Sequence, residues 1–367
     1  MTGDVRAAAT VYPVSPVDQA DLRQRVDKAL RAFLSQQRAL LLDIDPALGE
    51  VADTIADFVM GGGKRLRPAF AYWGFRGAGG LDSDQITWAV AALEFVQASA
   101  LIHDDVMDDS QLRRGEPAVH RRYATRHESR DWAGDPEAFG GGAAILLGDL
   151  CMAWSDEMLH EAGLDLAALR RARPVFDLMR TEVIAGQYLD LHAQASRDTS
   201  LRRASTVARY KSAKYTVERP LLIGGAIAGA DEDLREAYSG YGLPLGEAFQ
   251  LRDDILGVFG DPDRTGKPAG DDLREGKRTF LVAAALETAD PTDAEVLRRD
   301  LGRADLDDDG VATLRRIITA SGALDRTERR IESMATAALE ALTRARLDPE
   351  PAQMLTELAD AATRRAR

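Results

Sequence analysis

From residue 17 to the C-terminus, apolar side chains recur every three or four positions, and no run alternates with the two-residue period of a strand. Leu22, Val26, Leu30, Phe33 and Leu40 set that spacing in the first stretch. Helices are expected over 17–42, 46–60, 82–109, 140–162, 165–195, 201–229, 231–260, 273–288, 309–320, 323–345 and 350–365. Ala, Leu, Arg and Glu dominate these stretches, and all are good helix formers. Asp82 followed by Gln85 reads as a capping box for the helix at 82. Loops are expected at 61–67, 110–118, 126–139, 261–272 and 288–292, with Arg126–Gly142 the most irregular segment. Residues 1–16 carry no pattern and read as a loose tail. The expectation is an all-α fold, with residues 17–367 forming one domain of long helices.

Composition narrows the partners. With 47 Lys and Arg against 60 Asp and Glu, the net charge is −13, which argues against binding nucleic acid or an anionic membrane surface. No signal peptide and no long uncharged apolar run is seen, so no membrane span is expected. The single Cys151 excludes a disulfide framework and a cysteine zinc cluster, and fits a reducing cytoplasm. Only six of the basic residues are lysines: Lys28, Lys64, Lys211, Lys214, Lys267 and Lys277.

Two acidic clusters stand out. His103-Asp104-Asp105-Val106-Met107-Asp108-Asp109 closes an apolar helix. On a helix Asp104 and Asp108 lie about 40° apart, one turn from each other. Two carboxylates stacked this way repel, and the helix C-terminus adds to the repulsion. A hard divalent cation with oxygen ligands would offset it. The second cluster, Gln250-Leu251-Arg252-Asp253-Asp254, also follows an apolar run, with Asp261 further on. Facing each other across a cavity, the two pairs would hold several ions with few protein ligands. Asp305–Gly310 starts like a calcium loop, but Arg316 stands where its glutamate belongs, so this run reads as a helix start.

Cations gather around both clusters. Gly61-Gly62-Gly63-Lys64-Arg65-Leu66-Arg67-Pro68 is a turn with three positive charges, and Arg113-Arg114-Gly115 follows the first acidic cluster. Lys211 and Lys214 lie on a helix, and Lys267 and Lys277 flank Gly270-Asp271-Asp272. Five of the six lysines thus sit in or beside these segments. Carboxylates that bind Mg²⁺ and cations that bind phosphate are the parts of a diphosphate site.

Seven segments in order carry a resemblance: Gly62–Pro68, Leu101–Asp108, Arg113–Gly115, Gly186-Gln187-Tyr188-Leu189-Asp190, Lys211-Ser212-Ala213, Phe249-Gln250 with Asp253-Asp254, and Gly276-Lys277-Arg278-Thr279. Together the chain resembles the trans-type isoprenyl diphosphate synthases. The resemblance implies a bundle of long helices around a central cavity. It also implies head-to-tail condensation of isopentenyl diphosphate with an allylic diphosphate of five to fifteen carbons, by ionisation, condensation and elimination. Three Mg²⁺ ions are implied, two on Asp104 and Asp108 and a third on Asp253, with Asp105 and Asp254 completing the acidic pairs. Arg113, Lys211 and Lys267 would grip the allylic diphosphate, and Lys64, Arg67 and Arg114 the isopentenyl diphosphate. Gln187 and Gln250 would line the cavity near the forming cation. Ser212 and Lys277 join the substrate set.

Departures from the resemblance are equally specific. Gly257 stands where many relatives carry a third aspartate, leaving Asp254 or Asp261 to assist Asp253. Gln97 replaces a common histidine in the isopentenyl diphosphate site, and Ser212 replaces a threonine. At the positions where bulky residues stop the chain at fifteen carbons, this sequence has the small Ser99 and Ala100. That implies a C20 product, geranylgeranyl diphosphate, with Met152, Trp154, Phe176 or Met179 as later blocks. A longer-chain polyprenyl diphosphate synthase and a class I terpene cyclase are the alternative readings. The resemblance also implies a homodimer.

Overall fold

The computed structural model describes residues 21–261, 270–303 and 305–363. The expected tail over 1–16 and Lys267 lie outside the described residues.

Helices α1 (Leu22–Ile44) and α2 (Gly49–Met60) form as the periodicity predicts, α1 burying Leu22, Val26, Leu30 and Phe33, while Leu40 is exposed and Leu41 takes the buried position. Helix α3 (Leu66–Gly77) was not expected. It buries Leu66 and every residue from Pro68 to Gly74, so it has no polar stripe for a periodicity argument to find. Helix α4 (Asp84–Met107) is capped by Ser83, whose hydroxyl accepts from the Ile86 N–H. The expected box does not form. Asp82 pairs with Arg25 at 2.9 Å, and the Gln85 amide donates to the Gly163 carbonyl.

A two-residue hairpin, β1 (Leu112–Arg113) against β2 (Glu116–Pro117), lies within the loop expected at 110–118. Helices α5 (Val119–Ser129) and α6 (Pro136–His160) then occupy most of the segment read as irregular, leaving only 130–135 between them. The rings of His127, Trp132 and Phe139 pack around that turn at 5.3–6.0 Å.

Helix α7 (Leu166–Ser196) follows. The stretch read as one helix at 201–229 is three joined pieces: α8 (Leu201–Val207), a π-helix over Ala208–Glu218, and α9 (Arg219–Ala228). Helix α10 (Glu232–Phe259) is followed by α11 (Asp271–Arg274), α12 (Phe280–Thr288) and α13 (Pro291–Asp300), the last unforeseen. Helices α14 (Asp308–Ala320), α15 (Ala323–Arg344) and α16 (Pro349–Thr363) complete the chain. Asp307 accepts from the Gly310 N–H and caps α14, as expected for a helix start.

The main apolar core is built on α1, α3, α4, α6, α7 and α9. Phe33, Phe95 and Trp154 meet edge to face at its centre, with centroids 5.3–6.3 Å apart. Trp154, Phe176 and Met179 are buried in this core. A second apolar cluster joins the end of α10 to α12, α14 and α15. Helix α10 carries Leu245 and Phe249 into the first cluster and Leu251, Ile255 and Val258 into the second. By length and hydropathy alone α4 and α6 would be long and apolar enough to cross a membrane, which the sequence reading did not foresee. Helix α4 is instead a core helix, with 72% of its most apolar window buried.

Candidate active site

The last turns of α4 present two stripes of polar side chains. Gln97, Asp104 and Asp108 fall within about 20° of one line along the helix. Glu94 and Asp105 fall on a second line beside it. The two stripes behave differently.

On the first, Asp104 sits among cations and donors. The Lys211 ammonium donates to Asp104 at 3.0 Å and to Asp190 of α7 at 2.7 Å. The Gln187 amide donates to the same Asp104 oxygen at 2.8 Å. Burial would raise the Asp104 carboxyl, but Lys211, Lys277 and Arg113 overcome it and hold the group well below the usual carboxylate range. Asp108, at the C-cap of α4, is pushed up to about 6, first by burial and then by the charge of Asp104. Its side chain is only 3% exposed, and neither oxygen has a hydrogen-bond partner. Lys277 lies 3.4 Å away and also approaches Asp272 at 3.7 Å and Glu275 at 2.6 Å.

The close placement of Lys211 has a steric cause. A Cβ on Gly186 of α7 would lie 2.3 Å from the Lys211 backbone nitrogen. Only glycine lets the π-helix approach so near that Lys211 reaches both aspartates.

Asp105, expected among the metal ligands, is on the second stripe. It is fully buried and its carboxylate takes a bidentate pair from Arg113, because consecutive helix residues point about 100° apart. Arg113, expected on the allylic diphosphate, stays within 3.7 Å of Asp104.

The second acidic cluster lies inside α10 rather than at its end. Asp254 is buried and accepts from the Gln250 amide at 2.7 Å. Burial, then the charges of Asp272, Asp253 and Asp190, push it up to about 8. Gly257, one turn beyond Asp253, leaves room for another chain segment: a Cβ there would lie 1.9 Å from an Asp272 carboxylate oxygen. Asp272 of α11 thus fills the space a side chain at 257 would need. The sequence reading places Asp271 and Asp272 only in the segment that Lys267 and Lys277 flank, and assigns Asp272 no role, since it lies fifteen residues beyond Gly257.

The remaining basic residues come from other elements: Arg67 from α3, Arg114 from the hairpin and Lys64 from the glycine turn. Arg67 donates to the Thr216 hydroxyl at 2.9 Å and stacks 4.1 Å above the Tyr215 ring. The Tyr215 hydroxyl donates to the Gln97 carbonyl oxygen. Arg114 donates to the carbonyls of Gly62 at 2.9 Å and Phe58 at 3.4 Å. Lys64 is exposed on the glycine turn, and Ser212 is buried in the π-helix. Ser99 is fully buried on α4, and Ala100 is half-buried.

A family model described as polyprenyl synthetase matches residues 49–318, a span that holds every one of these groups. The chain belongs to the polyprenyl synthetase family. The synthase is 34% identical over 307 residues to the geranylfarnesyl diphosphate synthase of Aeropyrum pernix, covering 82% of this chain and 90% of that one. It is 36% identical over 244 residues to the geranylgeranyl diphosphate synthase of Saccharolobus solfataricus, covering 66% and 68%. Its fold matches a crystal structure of geranylgeranyl pyrophosphate synthase from Corynebacterium glutamicum, complexed with isoprenyl diphosphate and magnesium. The TM-score is 0.92 at 41% identity, covering 95% of this chain and all of that one. This chain is thus an isoprenyl diphosphate synthase, a prenyltransferase with the all-α fold.

The synthase's carboxylates fit a divalent cation. Asp108 is a buried carboxylate whose oxygens accept no hydrogen bond, one turn from Asp104, and the donors are hard oxygens. Among the described residues no three His, Cys, Asp or Glu side chains converge into a ready-made metal site. A site completed by substrate oxygens needs none.

Proposed function

We propose that the synthase condenses isopentenyl diphosphate with an allylic diphosphate and delivers geranylgeranyl diphosphate, using magnesium. The observation that carries this reading is the first stripe of α4. It places Gln97, linked through Tyr215 to Arg67, and the pair Asp104 and Asp108, beside Lys211 and Lys277, on one helix face. The first group suits one diphosphate and the second suits another with its metal ions.

In this reading Asp104 and Asp108 hold ions on the allylic diphosphate. Asp253, with Asp254 and Asp272 behind it, faces a third. Magnesium, when bound, supplies the positive charge against which the diphosphate leaves. Lys211 and Lys277 stand beside the same oxygens and turn from their carboxylates to phosphate. Gln187 orients Asp104 and faces the developing allylic charge, as does Gln250. Lys64, Arg67 and Arg114 hold isopentenyl diphosphate, with the Gln97 amide nitrogen as a further donor. The apolar core around α4 keeps the reacting carbons from water. Asp105 serves by fixing Arg113.

The C20 product rests on the small Ser99 and Ala100 and on likeness to geranylgeranyl diphosphate synthases. A C25 product is the second reading, supported by likeness to the A. pernix enzyme. The synthase works in the cytoplasm as a homodimer. Incubation with Mg²⁺, isopentenyl diphosphate and C5, C10 or C15 primers should give a C20 product by chromatography, and Ser99→Phe should shorten it. No product with any primer overturns the reading, and an unchanged product from Ser99→Phe overturns the placement of the growing chain.

A further inference from the structure

The turn at 61–65 is tied by backbone bonds at its start, from the Gly61 N–H to the Asp57 carbonyl and from the Gly62 N–H to the Met60 carbonyl, both at 2.7 Å. Gly62 and Gly63 sit at φ +113° and +128°, where L side chains rarely go. A segment this permissive should wander, and its cations with it. Instead three arginines pin it. Arg23 of α1 donates to the Gly63 carbonyl at 2.8 Å, and Arg114 of the hairpin donates to the Gly62 carbonyl. The third is Arg65 itself, at φ +50°, with its side chain folded inward and 4% exposed.

Every nitrogen of the Arg65 guanidinium is engaged. Nε donates to Asp27 at 2.9 Å, Nη1 to Glu94, and Nη2 to the Val59 carbonyl at 2.9 Å. It therefore has no fork left for a ligand, although it lies between Lys64 and Arg67. Glu94 is equally buried, at 7%. It lies on the second stripe of α4, eleven residues and about 20° from Asp105. Each carboxylate on that stripe fixes an arginine, Glu94 holding Arg65 and Asp105 holding Arg113. A Cβ on Gly63 would lie 3.6 Å from Arg65, 3.7 Å from Arg114 and 3.9 Å from Glu94. Burial and the charges of Arg65, Arg113 and Arg67 pull the Arg114 guanidinium down, and Glu94 opposes them.

We propose that Arg65, clamped by Glu94 and Asp27, is a positioning residue that sets the glycine turn for isopentenyl diphosphate, with Glu94 the fixed counter-charge of that pocket. This rests on the functional reading above. The charges of Arg65, Arg67 and Arg113 bear on Arg114, and in this reading Lys64, Arg67 and Arg114 meet one trianionic diphosphate. Without a buried anion they would repel one another before substrate arrives. Glu94 supplies that anion from the rigid α4 and does not itself face the ligand.

Steady-state kinetics of the full-length protein with Mg²⁺ test it. Glu94→Gln should raise the KM for isopentenyl diphosphate by about ten-fold, the effect of one lost charge-assisted contact. The KM for the allylic primer and kcat should change less than about two-fold. Glu94→Asp should recover part of the loss. Unchanged KM values, or equal rises for both substrates, in a folded Glu94→Gln variant overturn the proposal. Asp27→Asn removes one partly exposed contact and guards against a misfolded variant. It should raise the same KM by about three-fold, and no shift there overturns the proposal as well. Absence of turnover in the unsubstituted protein overturns the functional reading and this inference with it, whereas turnover with unshifted variants overturns this inference alone.

Discussion

At the residue scale the site is a balance of buried charges. Lys211 and Lys277 stand where cations are needed, and the carboxylates answer unequally. Asp104 is held ionised, while Asp108 and Asp254 are raised to about 6 and about 8. A carboxyl whose folded pKa exceeds its unfolded one adds stability that is full below about pH 4 and lost as pH rises through the folded value. Chelator-treated protein should therefore lose thermal stability as pH rises from about 4 to about 8. Mg²⁺ with inorganic pyrophosphate should restore it, and more so at the upper end, where the carboxylates are ionised. A melting temperature that rises with pH across this window in the metal-free protein would contradict the balance. The sequence pointed to most of these residues, because acid pairs and cations at fixed spacing are chemistry written in one dimension. Asp105 went the other way, since two adjacent aspartates look alike in a motif but face different directions on a helix. Glu94 and Asp27 were not visible, because their partner Arg65 lies far away in sequence, and Asp272 was noted without its place against Gly257.

At the element scale the π-helix at Ala208–Glu218 is what the sequence hid best. Its residues are ordinary helix formers, and propensity does not distinguish an i→i+5 pattern from an i→i+4 one. Its consequence is the reach of Lys211, and Gly186 is the condition for that reach. Gly186→Val should force the π-helix away from α7, lowering stability by about 3 kcal/mol as an overpacked contact. It should also cut kcat by about ten-fold as Lys211 loses Asp104 and Asp190. A folded Gly186→Val variant with full activity, read by turnover and thermal melting together, would show that Lys211 does not need this approach. The helices themselves were legible where one face is wet. Helix α3 was not, because burial all round removes the stripe. The segment at 126–139 was misread because Pro and Gly suggested a break that the packing of His127, Trp132 and Phe139 overrules.

At the scale of the whole molecule, large apolar side chains remain exposed on two neighbouring long helices: Phe139, Ile145 and Leu146 on α6, and Leu178, Ile184 and Tyr188 on α7. Exposed apolar side chains of this size suit burial against a second copy, in line with the proposed homodimer. Leu146→Asp should shift the protein from dimer to monomer in light scattering after size exclusion. If the unsubstituted protein already runs as a monomer, the homodimer is wrong.

The first stripe of α4 also fixes a length. Gln97 and Asp104 are seven residues apart on an unbroken helix, which sets them about 10 Å apart along its axis. Such a rod does not stretch as the product grows. For the proposed reaction, every condensation therefore meets the same separation between the two diphosphates, whatever the length of the tail. Chain growth becomes a repeated identical step, and the count of steps is set only by how much space the tail finds below.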